Sequence, residues 1–261
     1  MMNRIDNKFN ELKAAGKKGL VIYITAGLPD AAGTLKAVLE AEKAGADIIE
    51  IGIPFSDPMA DGPVIQAASN QAIKKGMTLP KVLDIVREIR KVSEIPLVGM
   101  GYINNMLNYG FEKFVADAKE AGMDGLIIPD VPHEESGDMK KACSQQGLSL
   151  VEFVTPGTTD NRISETCTSA DGFIYCVSIN GVTGVRKIDY SPINKVIERV
   201  KQQTSTPCAV GFGVGSPEAA VDAAKNSDAV IVGSAVVKRI MEGKLGEACE
   251  LISSIRIALD K

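Results

Sequence analysis

Short β-branched runs recur along the chain, and each is followed by a stretch whose apolar residues return every three or four positions. The runs at residues 20–25, 47–51, 96–100, 125–128, 149–154, 172–177, 208–211 and 229–232 predict eight strands. In Leu20-Val21-Ile22-Tyr23-Ile24 and Val230-Ile231-Val232 polar alternation is nearly absent. That pattern belongs to strands covered on both faces, as in a parallel sheet. The 3.6-residue period predicts helices over 34–44, 78–91, 111–121, 134–146, 191–201 and 216–225. In 34–44 the expected buried stripe is Leu35, Val38 and Leu39. In 78–91 it is Leu79, Val82, Leu83, Val86 and Ile89, with Pro80 early, where a helix start tolerates it. An amphipathic segment, 5–15, precedes the first strand and is positioned to plug the bottom of whatever the strands enclose.

A short echo marks one repeating unit. Ala44-Gly45-Ala46-Asp47 and Ala121-Gly122-Met123-Asp124 each close a helix with glycine and lead into a strand; Ser169-Ala170-Asp171-Gly172 and Asn226-Ser227-Asp228-Ala229 resemble them more weakly. Glycine suits a helix C-cap because it takes positive φ without penalty. Strands alternating with helices, with no composition break, predict one α/β domain over residues 1–261. The expected fold is a (β/α)8 TIM barrel with an extra N-terminal helix and long loops after strands 2 and 6, at 52–63 and 178–190. An open doubly wound sheet is the competing arrangement. Its G-x-G-x-x-G turn is missing after the first strand, where the chain reads Thr25-Ala26-Gly27-Leu28-Pro29-Asp30.

Composition narrows the chemistry. The 261 residues include 29 Lys plus Arg against 33 Asp plus Glu, a net charge of −4 that offers no basic face for nucleic acid. No apolar run is long enough to span a membrane, and the charged N-terminal segment lacks a signal-peptide core. Five dispersed cysteines with no C-x-x-C pair fit free thiols in a reducing compartment, so a soluble, cytoplasmic protein is expected. His133 is the only histidine, which leaves no multi-histidine metal site; its place before a helical stretch suggests an exposed helix start. Carboxylates, backbone groups and lysines remain for catalysis, and no lysine lies inside an apolar strand as a Schiff-base aldolase would need.

In such barrels the site lies at the C-terminal ends of the strands. Glu50, inside the otherwise apolar Ile48-Ile49-Glu50-Ile51, is the most informative residue there. A carboxyl in that setting is costly when charged, so its pKa rises and it can both give and take a proton. The alternative is a glutamate paired at the barrel mouth. Asp61, in Phe55-Ser56-Asp57-Pro58-Met59-Ala60-Asp61-Gly62-Pro63, reads equally as a second catalytic carboxylate or as the N-cap of the helical stretch that follows. Three glycine turns follow late strands: Asn180-Gly181-Val182-Thr183-Gly184, Gly211-Phe212-Gly213-Val214-Gly215-Ser216, and Gly233-Ser234 opening a helical stretch at 235–240. Such turns let backbone N–H groups approach a phosphate, with a helix dipole behind them.

The segment from Ile49 to Pro63, Ile49-Glu50-Ile51-Gly52-Ile53-Pro54-Phe55-Ser56-Asp57-Pro58-Met59-Ala60-Asp61-Gly62-Pro63, closely resembles the signature of the tryptophan synthase alpha chain family. Met100-Gly101-Tyr102-Ile103-Asn104, Asp130-Val131-Pro132-His133-Glu134-Glu135, Gly181-Val182-Thr183-Gly184, Gly211-Phe212-Gly213 and Gly233-Ser234-Ala235 follow in the family's order. The resemblance implies retro-aldol cleavage of indole-3-glycerol phosphate to indole and glyceraldehyde 3-phosphate. It casts Glu50 as general acid/base and Asp61 as the carboxylate on the indole N–H. It implies Tyr102, Tyr175, Thr183 and Phe212 around the substrate, and Gly184, Gly213, Gly233 and Ser234 around the phosphate. No metal or cofactor is implied in this chain. The implied partner is a pyridoxal-phosphate (PLP) dependent beta chain in an α2β2 complex, met through Pro54 and Asp57. Leu28 and Asn105 depart from common family patterns and bear on local loop shape. Two other readings remain: another phosphate-binding barrel enzyme, such as a sugar-phosphate isomerase or indole-glycerol phosphate synthase, and a noncatalytic activator that only docks on a beta chain.

Overall fold

The computed structural model describes residues 3–178 and 189–261. Its strands are β1 (Gly19–Thr25), β2 (Ile48–Gly52), β3 (Leu97–Met100), β4 (Gly125–Ile127), β5 (Ser149–Leu150), β6 (Glu152–Val154), β7 (Ile174–Val177), β8 (Cys208–Gly211) and β9 (Ala229–Val232). All pairings are parallel, in the order β5-β4-β3-β2-β1-β9-β8-β7-β6. The expected fifth strand is thus divided at Val151. Its first half pairs with β4 and its second with β7, so one stave of the barrel joins the two ends of the sheet. The result is the expected eight-staved (β/α)8 TIM barrel.

The helices are α1 (Arg4–Ala14), α2 (Ala31–Lys43), α3 (Pro63–Lys74), α4 (Leu79–Arg90), α5 (Ile103–Tyr109), α6 (Phe111–Ala121), α7 (Gly137–Gln146), α8 (Asp160–Ser169), α9 (Ser191–Lys201), α10 (Pro217–Ala224), α11 (Ser234–Met241) and α12 (Leu245–Leu259). Periodicity located most of them, but not α5, α8 or α12. Helix α5 is short and α8 is largely polar, so neither carries a long apolar stripe. The stripe of α2 is turned from the expected one: Thr34, Ala37, Val38 and Ala41 are buried, and Leu35 and Leu39 only partly so. The predicted helix over 134–146 starts later, because His133–Glu135 form a 3-10 turn ahead of α7.

Helix α1 closes the N-terminal end of the barrel. Its Ile5 is fully buried, with its Cδ1 and Cγ2 lying against Gly125 and Gly172, and its Phe9 packs on Phe173 at 6.0 Å between ring centroids. At that end the four-residue echo acquires a meaning. Asp47, Asp124, Asp171 and Asp228 each accept a hydrogen bond from the first or second N–H of the neighbouring strand: Leu20, Leu97, Leu150 and Cys208, at 2.8–3.0 Å. At two of these sites the glycine is also explained. Gly45 and Gly122 have φ of +107° and +106°, and an added Cβ would lie 2.7 Å from Arg256 and 2.5 Å from Arg90. Those same arginines pair with Asp47 at 3.0 Å and Asp124 at 2.7 Å. Gly-x-Asp is therefore a clamp: glycine gives an arginine room to lie flat, and the aspartate holds both the arginine and a strand terminus.

The cysteines are free, with Cys143, Cys167, Cys176 and Cys208 buried. Among the described residues no helix is long and apolar enough to cross a membrane.

Candidate active site

The opposite, C-terminal end of the barrel holds a cavity of about 660 Å3. Its floor is built from inward-facing residues of seven of the eight staves: Tyr23, Glu50, Met100, Ile127, Phe153, Tyr175 and Ile231. Phe153 and Tyr175 lie against each other at 5.3 Å between ring centroids, which gives the floor a flat aromatic side.

Glu50 is paired in register with Tyr23 on β1 and Val98 on β3, so it is held rigidly in the sheet. It is 3% exposed, and its Oε2 has no hydrogen-bond partner among the described residues. Burial first, and the nearby charge of Asp61 second, push its carboxyl up to about 8. The barrel-mouth salt bridge considered from sequence is absent for this group among the described residues. Asp61 lies on the 53–62 loop and lines the same cavity. Burial pushes it up to about 6, while the Tyr102 hydroxyl acts in the opposite direction. The N-cap of α3 is Gly62, and no side chain caps that helix. The Asp61 carboxylate is therefore not used as a cap and faces the cavity. At pH 7 the pair separates into a neutral Glu50 and an ionised Asp61, the split that acid and electrostatic roles require.

Tyr102 stands behind this loop and is not among the residues lining the cavity. It is buried, stacks on Phe55 at 5.2 Å, and accepts a hydrogen bond from the Ala60 N–H at 3.0 Å. Together with its reach to Asp61, this straps the loop in place. Tyr175 and Phe212 line the cavity. Phe212 has φ +77°, a strained conformation for a residue with a Cβ. Ser178, buried, donates to the carbonyls of both Gly211 and Phe212. Tyr175 requires Gly211 beneath it, because an added Cβ would sit 2.3 Å from the Tyr175 hydroxyl.

Gly213, Gly233 and Ser234 also border the cavity, with Gly215 and Ala235 beside them. Gly233 is the N-cap of α11, and no side chain caps this helix. Its first N–H groups have no intrahelical acceptor, so this edge of the cavity suits an anion. Thr183 and Gly184 lie outside the described residues. Pro54 is buried within the chain, with its carbonyl held by the Asn105 side-chain amide at 3.0 Å, while Asp57 is exposed. Leu28, the other departure from family pattern, is buried in the core.

His133 is only partly exposed, not the exposed helix start expected. Its Nδ1 lies 3.1 Å from the buried Glu152, which also binds Lys140 and Ser169. His133 and Glu152 line a second cavity of about 290 Å3. Sequence reasoning missed Tyr23, Phe153 and Thr155 as cavity residues. For Tyr23 the available signal was a hydroxyl inside an unbroken apolar strand.

Among the described residues no group of three His, Cys, Asp or Glu could hold a metal ion. A parallel barrel with two differently ionised carboxyls at one side of its mouth and an uncapped helix start at the other defines a class: an acid–base enzyme acting on a small anionic substrate. A family model described as tryptophan synthase alpha chain matches residues 9–257. A relative from Thermoanaerobacter sp. (strain X514), named tryptophan synthase alpha chain, is 46% identical over 99% of this chain and 100% of its own length. The crystal structure of tryptophan synthase subunit alpha from Legionella pneumophila str. Paris has a TM-score of 0.91 and 38% identity, covering 100% of this chain and 99% of its own. A structure of Mycobacterium tuberculosis tryptophan synthase gives a TM-score of 0.92 at 31% identity over 100% of both chains. The chain belongs to the tryptophan synthase alpha chain family.

Proposed function

We propose that this chain cleaves indole-3-glycerol phosphate to indole and glyceraldehyde 3-phosphate, with Glu50 and Asp61 as its catalytic carboxyls. The observation that carries the reading is the neutral, unpartnered Glu50 facing the same cavity as an ionised Asp61. The scissile bond joins indole C3 to the glycerol carbon that carries a hydroxyl. Glu50 gives its proton to C3, and the ring becomes a cationic indolenine whose N–H is stabilised by Asp61. The resulting Glu50 carboxylate then takes the proton of the glycerol hydroxyl. The C–O bond becomes a carbonyl, the C–C bond breaks, and its electron pair returns to the ring and neutralises the nitrogen. Glu50 ends protonated, as it began. The protonated ring is the electron sink, so the cleavage draws on no metal or cofactor in this chain. Tyr175 and Phe212 flank the flat ring, and Gly213, Gly233 and Ser234, with Thr183 and Gly184, hold the substrate's other end and its phosphate. Tyr102 serves the substrate through the Asp61 loop.

The partner in this reading is a beta chain, in an α2β2 complex, that consumes the indole with PLP of its own. Docking would bear on the exposed Asp57 and act on Asp61 through the loop they share; Pro54 would contribute from beneath. A cytoplasmic setting accords with the free thiols. The test is indole release from indole-3-glycerol phosphate by the purified chain, alone and with a beta chain. Native protein should release indole slowly alone and faster with the partner, and Glu50→Gln should lose at least about 1,000-fold. Near-native release by Glu50→Gln would overturn the mechanism.

A further inference from the structure

The mechanism leaves one polar group on the cavity floor without a task. Tyr23 sits on β1, between β9, which leads to Gly233, and β2, which carries Glu50. Its side chain spans these neighbours. The Tyr23 Cβ lies 3.5 Å from where a Cβ on Gly233 would stand, and its hydroxyl oxygen lies only 2.0 Å from where a Cβ on Gly52 would stand. The ring thus runs from the anion edge of the cavity to the strand end just above Glu50, and Gly52 is what leaves room for the hydroxyl. Tyr23 is 6% exposed and lines the cavity.

A substrate with indole beside Glu50 and phosphate at Gly233 has to lay its glycerol chain across this ring. From that placement we propose that Tyr23 is a further catalytic residue, whose hydroxyl donates a hydrogen bond to the glycerol oxygen at the bond that breaks. The inference rests on the lyase reading. As Glu50 removes the proton from that oxygen, negative charge gathers on it before the carbonyl forms. A fixed donor there stabilises the transition state more than the ground state. No atom is transferred to or from the phenol: its O–H bond remains intact throughout. Burial and the charges of Asp61 and Glu50 hold the phenol well above its ordinary range, so it remains a donor throughout the working pH. The Glu50 Oε2 does not take this hydroxyl, being unpartnered, and the Thr25 hydroxyl lies within reach of the phenol.

The experiment compares native protein with Tyr23→Phe, which keeps the ring and its packing. Three quantities are read: kcat for indole release, the Kd of a substrate analogue with a plain propyl chain in place of glycerol, and the upper limb of the pH–rate profile. The expected result is a kcat lower by about 10- to 100-fold, with analogue Kd unchanged within about twofold and the limb still near 8. Retained analogue binding also shows that the variant is folded. A kcat within twofold of native would overturn the proposal. So would an equal loss of analogue binding, which would mean a general pocket defect, or a displaced limb, which would mean that Tyr23 acts through Glu50. Absence of indole release from native protein would overturn the lyase reading, and this inference with it.

Discussion

Glu50 places proton chemistry where the fold pays for it in stability. Its carboxyl titrates near 8 in the folded chain against 4.5 for the free side chain, so folding takes up a proton. The stabilisation from this group is complete below about 4.5 and is lost as pH rises through about 8. Glu50→Gln cannot ionise. In urea denaturation the variant should therefore gain on native protein with rising pH, reaching an advantage on the order of 5 kcal/mol near pH 9 and little near pH 4.5. A pH-independent difference would contradict the burial argument. Tyr102 gives a second residue-scale prediction. Its hydroxyl lowers Asp61, so Tyr102→Phe should move the acidic limb of kcat/KM upward from about 6. The substrate phosphate titrates in the same region, but its contribution is common to both proteins and cancels in the comparison. Glu50 was legible in the sequence because a carboxylate interrupts an apolar strand end. The part played by Tyr102 was not, because its contacts come from a loop 42 residues away in sequence.

At the scale of elements, the apolar runs identify every strand among the described residues, since β-branched runs buried on both faces leave few other placements. They do not show that the fifth strand changes partners at Val151, because that depends on barrel closure and not on local pattern. Nor does periodicity alone orient α2, whose small Ala37 and Ala41 are buried in preference to the bulkier Leu39. The Gly-x-Asp echo was visible as a repeat, but its purpose depends on Arg90 and Arg256, which are remote from the helix caps they cover. Asp124 is the most heavily committed member, binding Arg4, Arg90 and the Leu97 N–H. Asp124→Ala should cost about 3–5 kcal/mol in denaturant unfolding, because it leaves the largely covered Arg90 without its carboxylate partner and the Leu97 N–H without its acceptor. It should leave kcat within about twofold of native, since the clamp lies at the end of the barrel away from the cavity. A large loss of kcat without loss of stability would contradict that separation of the two ends.

Across the whole molecule, the barrel divides its work: ion-paired clamps and α1 secure the N-terminal end, and Glu50, Asp61 and the uncapped start of α11 stand at the other. The long loop after β2 could be singled out from sequence, while the cavity floor could not; the expected loop at 178–190 lies largely outside the described residues. Each floor residue comes from a different stave, and a run without alternation does not reveal which of its side chains points inward. The central claim is that the free protein works with Glu50 protonated and Asp61 ionised. The pH dependence of kcat/KM for indole release tests it most directly. The profile should be a bell, rising through about 6 and falling through about 8. Activity that instead stays level or keeps rising through pH 8 to 9 would mean that Glu50 does not enter the reaction as an acid, and would contradict the account.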